Sequence, residues 1–166
     1  MQNFNLYNPV NVLFGPGESK KIGESAKKLG NKALLVTYEN PTFFEQLLKD
    51  VRASLTQSGV SYIEFFHIQA NPLLSEIKQA IAVCREQDVE LCIGIGGGSV
   101  MDATKAIAAG VKYPNDPWNM FVSRHDKEVA VPPTETLPTI MVPTLPATSS
   151  EMNCVAVATN DETKEK

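Results

Sequence analysis

Along this chain, short continuous apolar runs alternate with sets of apolar residues at helical spacing, and that rhythm predicts the fold. Residues 33–37 (Ala33-Leu34-Leu35-Val36-Thr37) and 91–95 (Leu91-Cys92-Ile93-Gly94-Ile95) are apolar runs of strand length. Runs without polar alternation suit parallel strands covered on both faces. Between them, residues 42–57 read as helical and 62–66 as a strand. Residues 74–87 read as a helix with Ile77, Ala80, Ile81 and Cys84 on one face, and another helix is expected over 99–110. At the start, residues 10–14 read as a strand ending in the Gly15-Pro16-Gly17 turn. A helix over 18–29 follows, with Ile22, Ala26 and Leu29 in helical register and Gly30 closing it. Strand and helix in turn, over short connections, predict an α/β fold with a parallel sheet and flanking helices.

The rhythm loosens after Gly110. Residues 113–138 carry Pro114, Pro117, Pro132, Pro133 and Pro138 and read mostly as loop. Residues 139–142 and 153–159 read as two further strands. The polar stretch 160–166 reads as a turn, with no domain-closing apolar segment after it, so the chain is expected to be cut short.

A length of 166 residues suits one domain with a real core. The net charge of −4, with basic residues scattered, argues against a nucleic-acid partner. No apolar run approaches the roughly 20 residues that a membrane helix needs. The first residues lack a basic start followed by an apolar stretch, so no secretory signal is expected and a cytoplasmic location is. Cys84, Cys92 and Cys154 form no CxxC pair and are expected as buried or half-buried thiols in a reducing compartment.

The most informative stretch is Gly94-Ile95-Gly96-Gly97-Gly98-Ser99-Val100-Met101-Asp102-Ala103-Thr104-Lys105. It leaves a buried strand and opens a helix. Three successive glycines put no side chain between the backbone amides and a ligand, and the helix N-terminus adds partial positive charge. Ser99 and Asp102 have the spacing of a capping box, which would set where the helix starts. A glycine triplet by itself could be a plain strand-to-helix turn. The full pattern Gly-Gly-Gly-Ser-x-x-Asp-x-x-Lys in this setting points to diphosphate binding. It is not a Walker loop, since no Gly-Lys-Ser/Thr ends it, and it differs from G-x-G-x-x-G.

This stretch resembles the GGGSxxDxxK signature of the iron-containing (group III) alcohol dehydrogenases. Residues 4–17, with Pro9 and Phe14-Gly15-Pro16-Gly17, look like the family's opening strand and FGxG turn. Asn71-Pro72 is similar to its NP turn, and residues 143–151, Pro-Thr-Leu-Pro-Ala-Thr-Ser-Ser-Glu, resemble its P-T-x-x-x-T-x-S-E segment. The likeness runs over essentially the whole chain and leans to the butanol/aldehyde reductase branch.

That resemblance implies a Rossmann-like domain over residues 1–166 that binds NAD(P), without the helical metal-binding domain of the family. It implies that Gly97, Gly98 and Ser99 meet the diphosphate, that Asp102 lines the pocket near the nicotinamide ribose, and that Asn71 approaches from the neighbouring loop. Thr144, Leu145 and Thr148 would line the nicotinamide and diphosphate end. Lys166 would reach the cofactor, with Lys164 as a rival, and Lys105 either contacts ribose or stands as a solvated helix lysine. Glu39, at the end of a strand, could accept hydrogen bonds from the adenosine ribose and repel a 2′-phosphate, which favours NAD over NADP. Relatives that prefer NAD often place that carboxylate where Tyr38 stands here.

The family's iron or other divalent metal is held by one aspartate and three histidines in the absent domain. His67 and His125 lack the spacing of a metal pair, so no metal ligand and no catalytic residue is assigned. The function implied is hydride transfer between a primary alcohol or aldehyde and NAD(P), with this chain as the cofactor-binding half, inactive alone; a homodimer is the expected assembly. The alternatives are a stand-alone nucleotide-binding module without catalysis, and a piece of a glycerol dehydrogenase-like zinc enzyme.

Overall fold

The computed structural model describes residues 5, 7–121, 130–146 and 149–166. Among them are four strands, β1 (Lys32–Tyr38), β2 (Ser61–Ile68), β3 (Leu91–Gly96) and β4 (Thr139–Pro143), forming one sheet in the order β2-β1-β3-β4. Every neighbouring pair is parallel. Four α-helices flank it: α1 (Ile22–Lys27), α2 (Glu45–Gln57), α3 (Leu74–Glu86) and α4 (Gly98–Lys112). None of the helices among the described residues is long and apolar enough to cross a membrane.

The apolar runs of β1 and β3 bury both faces, as parallel strands should. Successive β1 side chains point to opposite sides. Leu34 and Val36 join Cys92, Ile77, Ile81, Val100 and Ile107 in one core layer. Ala33 and Leu35 join Leu91, Ile93, Ile95, Ile22, Val51 and Leu55 in the other. Each Leu or Ile so buried contributes roughly 1.5–3 kcal/mol before chain entropy is set against it.

Several expectations change. Residues 10–14 lie in no strand, and Val12, Leu13 and Phe14 are exposed, Phe14 at 97 %. Apolar alternation alone builds no strand without a ladder partner, and no described segment pairs here. The helix expected over 18–29 begins as a 3-10 turn (Glu18–Lys21) before α1, and Leu29 lies outside it, exposed. Residues 153–159 are likewise not a strand: the segment makes one isolated bridge, Leu73 to Thr159. Cys84 and Cys92 are buried but Cys154 is exposed. A hydrogen bond with Cys84, reinforced by burial, pushes the Cys92 thiol well above its ordinary value.

Candidate functional site

The sheet order fixes where a ligand would sit. From β1 the chain crosses to β2 on one side and then to β3 on the other, so the winding reverses between β1 and β3. Open parallel sheets bind ligands at that reversal, outside the carboxyl ends of the strands. The ladder between the two strands runs from Ala33–Leu91 to Val36–Gly94. Beyond it, the Thr37 hydroxyl donates to the Ile95 carbonyl at 2.7 Å, a buried tie at the mouth of the crevice.

The glycine turn fills the β3 side of that mouth. Its glycines serve different ends. A Cβ on Gly94 would lie 2.4 Å from Thr104 Oγ1, and one on Gly96 would lie 2.6 Å from Val100 Cγ2. These two let α4 lie close against the sheet. A Cβ on Gly97 would point instead at Tyr38 Oη, 3.1 Å away, and Leu145 Cδ2, 3.5 Å away. Gly97 is the N-cap of α4, no side chain caps the helix, and the Met101 amide donates to the Gly97 carbonyl at 3.1 Å as the helix begins. An α-helix leaves its first amides without intrahelical partners, which suits them to an anion.

The capping box expected of Ser99 and Asp102 is absent, because the N-cap falls two residues earlier, at Gly97. Ser99 Oγ turns outward and accepts from the Asn71 amide at 3.2 Å. Asn71 sits in the left-handed region at φ 60°, which asparagine tolerates better than most residues. Its Oδ1 accepts from Lys166 Nζ at 2.7 Å. Asn71, Gly98, Ser99, Asp102 and Lys166 line one cleft of about 380 Å³. Lys164, the rival of Lys166, donates instead to the Asp161 carbonyl at 2.6 Å.

Asp102 lies in this cleft with its oxygens already engaged. The Ser150 hydroxyl donates to Oδ1 at 2.5 Å and the Val157 amide to Oδ2 at 3.1 Å. Lys105 is not a solvated helix lysine. Its ammonium lies 3.5 Å from Asp102 and donates to the carbonyls of Ser150, Asn153 and Val155. Burial draws its pKa below the usual lysine value, against the pull of Asp102. Together the two side chains staple residues 150–157 onto α4. That staple escapes sequence reasoning, because a Lys-Asp pair one helical turn apart carries no sign of a partner some fifty residues later.

The Thr144 amide donates to the Gly96 carbonyl at 3.0 Å, and Leu145 is 57 % exposed. Thr148 and His125 lie outside the described residues. Glu39 is exposed beyond the end of β1. Its neighbour Tyr38 turns into the crevice: the Gly97 amide donates to Tyr38 Oη at 3.2 Å. A large aromatic at the last position of a buried strand, facing a glycine turn, is the signal that could have marked it. His67 packs edge-on against Phe65, with ring centroids 5.1 Å apart. Among the described residues no group of three or more His, Cys, Asp or Glu is placed to hold a metal ion.

A parallel sheet with a helix-capping glycine turn at its winding reversal defines the class of α/β nucleotide-type folds. Within that class, residues 9–166 match the iron-containing alcohol dehydrogenases, and the chain belongs to that family. It is 40 % identical over its whole length to a probable NADH-dependent butanol dehydrogenase of Bacillus subtilis, covering 41 % of that protein. It is 36 % identical to an NADPH-dependent aldehyde reductase of Escherichia coli, again covering 41 % of it. The solved NADH-dependent butanol dehydrogenase A of Thermotoga maritima superimposes with a TM-score of 0.85 at 36 % identity, over 98 % of this chain and 40 % of that one. The chain thus spans about two fifths of the length of these relatives.

Proposed function

We propose that residues 1–166 form the cofactor-binding domain of an NAD(P)-dependent alcohol dehydrogenase, which passes hydride between a primary alcohol or aldehyde and the nicotinamide. The observation that carries this reading is the glycine turn at the β1/β3 reversal, with Asn71, Ser99 and Lys166 converging on the cleft beside it. The Gly97–Ser99 amides and the α4 N-terminus would take the diphosphate. Lys166 would add a positive charge, and Asn71 would hold Lys166 in place. Thr144, Leu145 and Thr148 would bound the nicotinamide end, with Asp102 near the nicotinamide ribose. Glu39 at the β1 end supports NAD over NADP, while relatives of both preferences are similar to this chain. When bound, the nicotinamide supplies the hydride acceptor or donor. What these residues do is grip and orient it.

The residues of this chain are assigned cofactor roles alone, and the 166-residue chain is expected not to turn over. The same reading carries a cytoplasmic homodimer acting on a small-molecule alcohol or aldehyde. Calorimetric titration with NADH tests it: weak saturable binding is expected, and no binding of either NADH or NADPH at millimolar concentration would overturn it. Butanol oxidation by the chain alone, with or without Fe²⁺, would overturn the inactivity.

A further inference from the structure

Tyr38 stands where the proposed cofactor would have to enter. It ends β1 on one side of the winding reversal, and its ring crosses to the glycine turn on the other. A Cβ on Gly96 would lie 3.1 Å from Tyr38 Cε2, and one on Gly97 3.1 Å from Oη. The hydroxyl accepts the Gly97 amide at 3.2 Å, and Gly97 is buried. The ring is backed by Phe44, stacked at a centroid distance of 6.4 Å with an interplanar angle of 30°. The β1–β2 register slips between Thr37 and Tyr38, so Tyr38 pairs with Ile68 and His67 is skipped. Tyr38 therefore begins where the regular ladder ends.

We propose that Tyr38 is a displaceable plug of the cofactor crevice: its phenol oxygen holds the Gly97 amide until a diphosphate oxygen replaces it. The proposal rests on the cofactor reading above. A neutral phenol is a weaker acceptor than a phosphate oxygen, so the anion wins the exchange. Binding nonetheless gives up one hydrogen bond and must move a ring, which lowers the apparent affinity by the fraction of molecules in the open state. The exchange also makes the crevice selective, since a ligand without an anionic oxygen at this point has nothing with which to replace the phenol.

The test is a pair of titrations, inorganic pyrophosphate and NADH, on the full chain with Tyr and with Tyr38→Phe. The Phe variant keeps the ring against Phe44 and loses only the competing oxygen. It is expected to bind both ligands about fivefold more tightly, the scale of one neutral hydrogen bond no longer surrendered. Its unliganded melting temperature should fall slightly, and the shift produced by NADH should grow. Unchanged or weaker binding of both ligands overturns the plug. Gly97→Val, run beside it, separates the two ideas. If Gly97→Val abolishes binding while Tyr38→Phe leaves affinity unchanged, the plug fails and the cofactor site stands. If Gly97→Val binds NADH like the parent chain, the site assignment fails and the plug fails with it.

Discussion

The two ends of the sheet are built from the same strands and treat their polar groups in opposite ways. At the amino end the connections satisfy one another. The Asn31 carbonyl accepts from both the Ser61 amide, at 2.8 Å, and the Ser61 hydroxyl, at 3.1 Å. The Glu90 carboxylate accepts from the Asn31 amide at 2.8 Å, the Glu90 amide donates to the Lys32 carbonyl at 2.9 Å, and Lys32 Nζ donates to the Gln87 carbonyl at 2.7 Å. At the carboxyl end the glycine turn presents a helix start that no side chain caps, and Asn71, Ser99 and Lys166 gather around an open cleft. One end uses its hydrogen bonds to hold strands together; the other gathers polar groups that bond one another around a cleft. Stability and binding are therefore separable by position along the same strands.

The sharpest way to separate them is Gly97→Val. A branched side chain there would fill the space between the turn, Tyr38 and Leu145, and NADH affinity should fall by about 100-fold or more as the amides lose reach of the diphosphate. The cooperative melt should survive, and calorimetry beside a thermal scan reads both. Glu90→Ala, at the opposite end, should do the reverse. It removes the acceptor for Asn31 and costs about 1 kcal/mol, a drop in Tm of roughly 3 °C, with NADH affinity unchanged. A shift in affinity would show that the two ends are coupled. Lys166→Met is the mildest change: it deletes an exposed ammonium and should weaken NADH about threefold at low ionic strength, with the loss fading as salt is added. A salt-independent loss would mean that Lys166 acts by holding Asn71 rather than by its charge.

Much of this could be read from the sequence. The continuous apolar runs of β1 and β3 and the helical spacing of α2, α3 and α4 arise from local burial patterns, and these mark the parallel sheet. The glycine turn was legible because it combines a run of glycines with a strand before and a helix after. What was hidden depends on distant partners. Val155 and Val157 look like strand residues, yet both are exposed in a segment that no ladder receives. Ser99 and Asp102 have cap spacing, yet Ser99 meets Asn71 and Asp102 meets Ser150 and Val157. Tyr38 was visible only as a departure from a carboxylate. That its hydroxyl meets Gly97 follows from the adjacency of β1 and β3, which no local pattern states.

The segment over residues 150–157 is suspended from two α4 side chains instead of being woven into the sheet. A wall hung on two pegs can be recut without disturbing the frame. Substitutions between the anchor points can reshape one side of the cleft while the strands keep their register, so descendants of this scaffold have a cheap route to new contours beside an unchanged cradle.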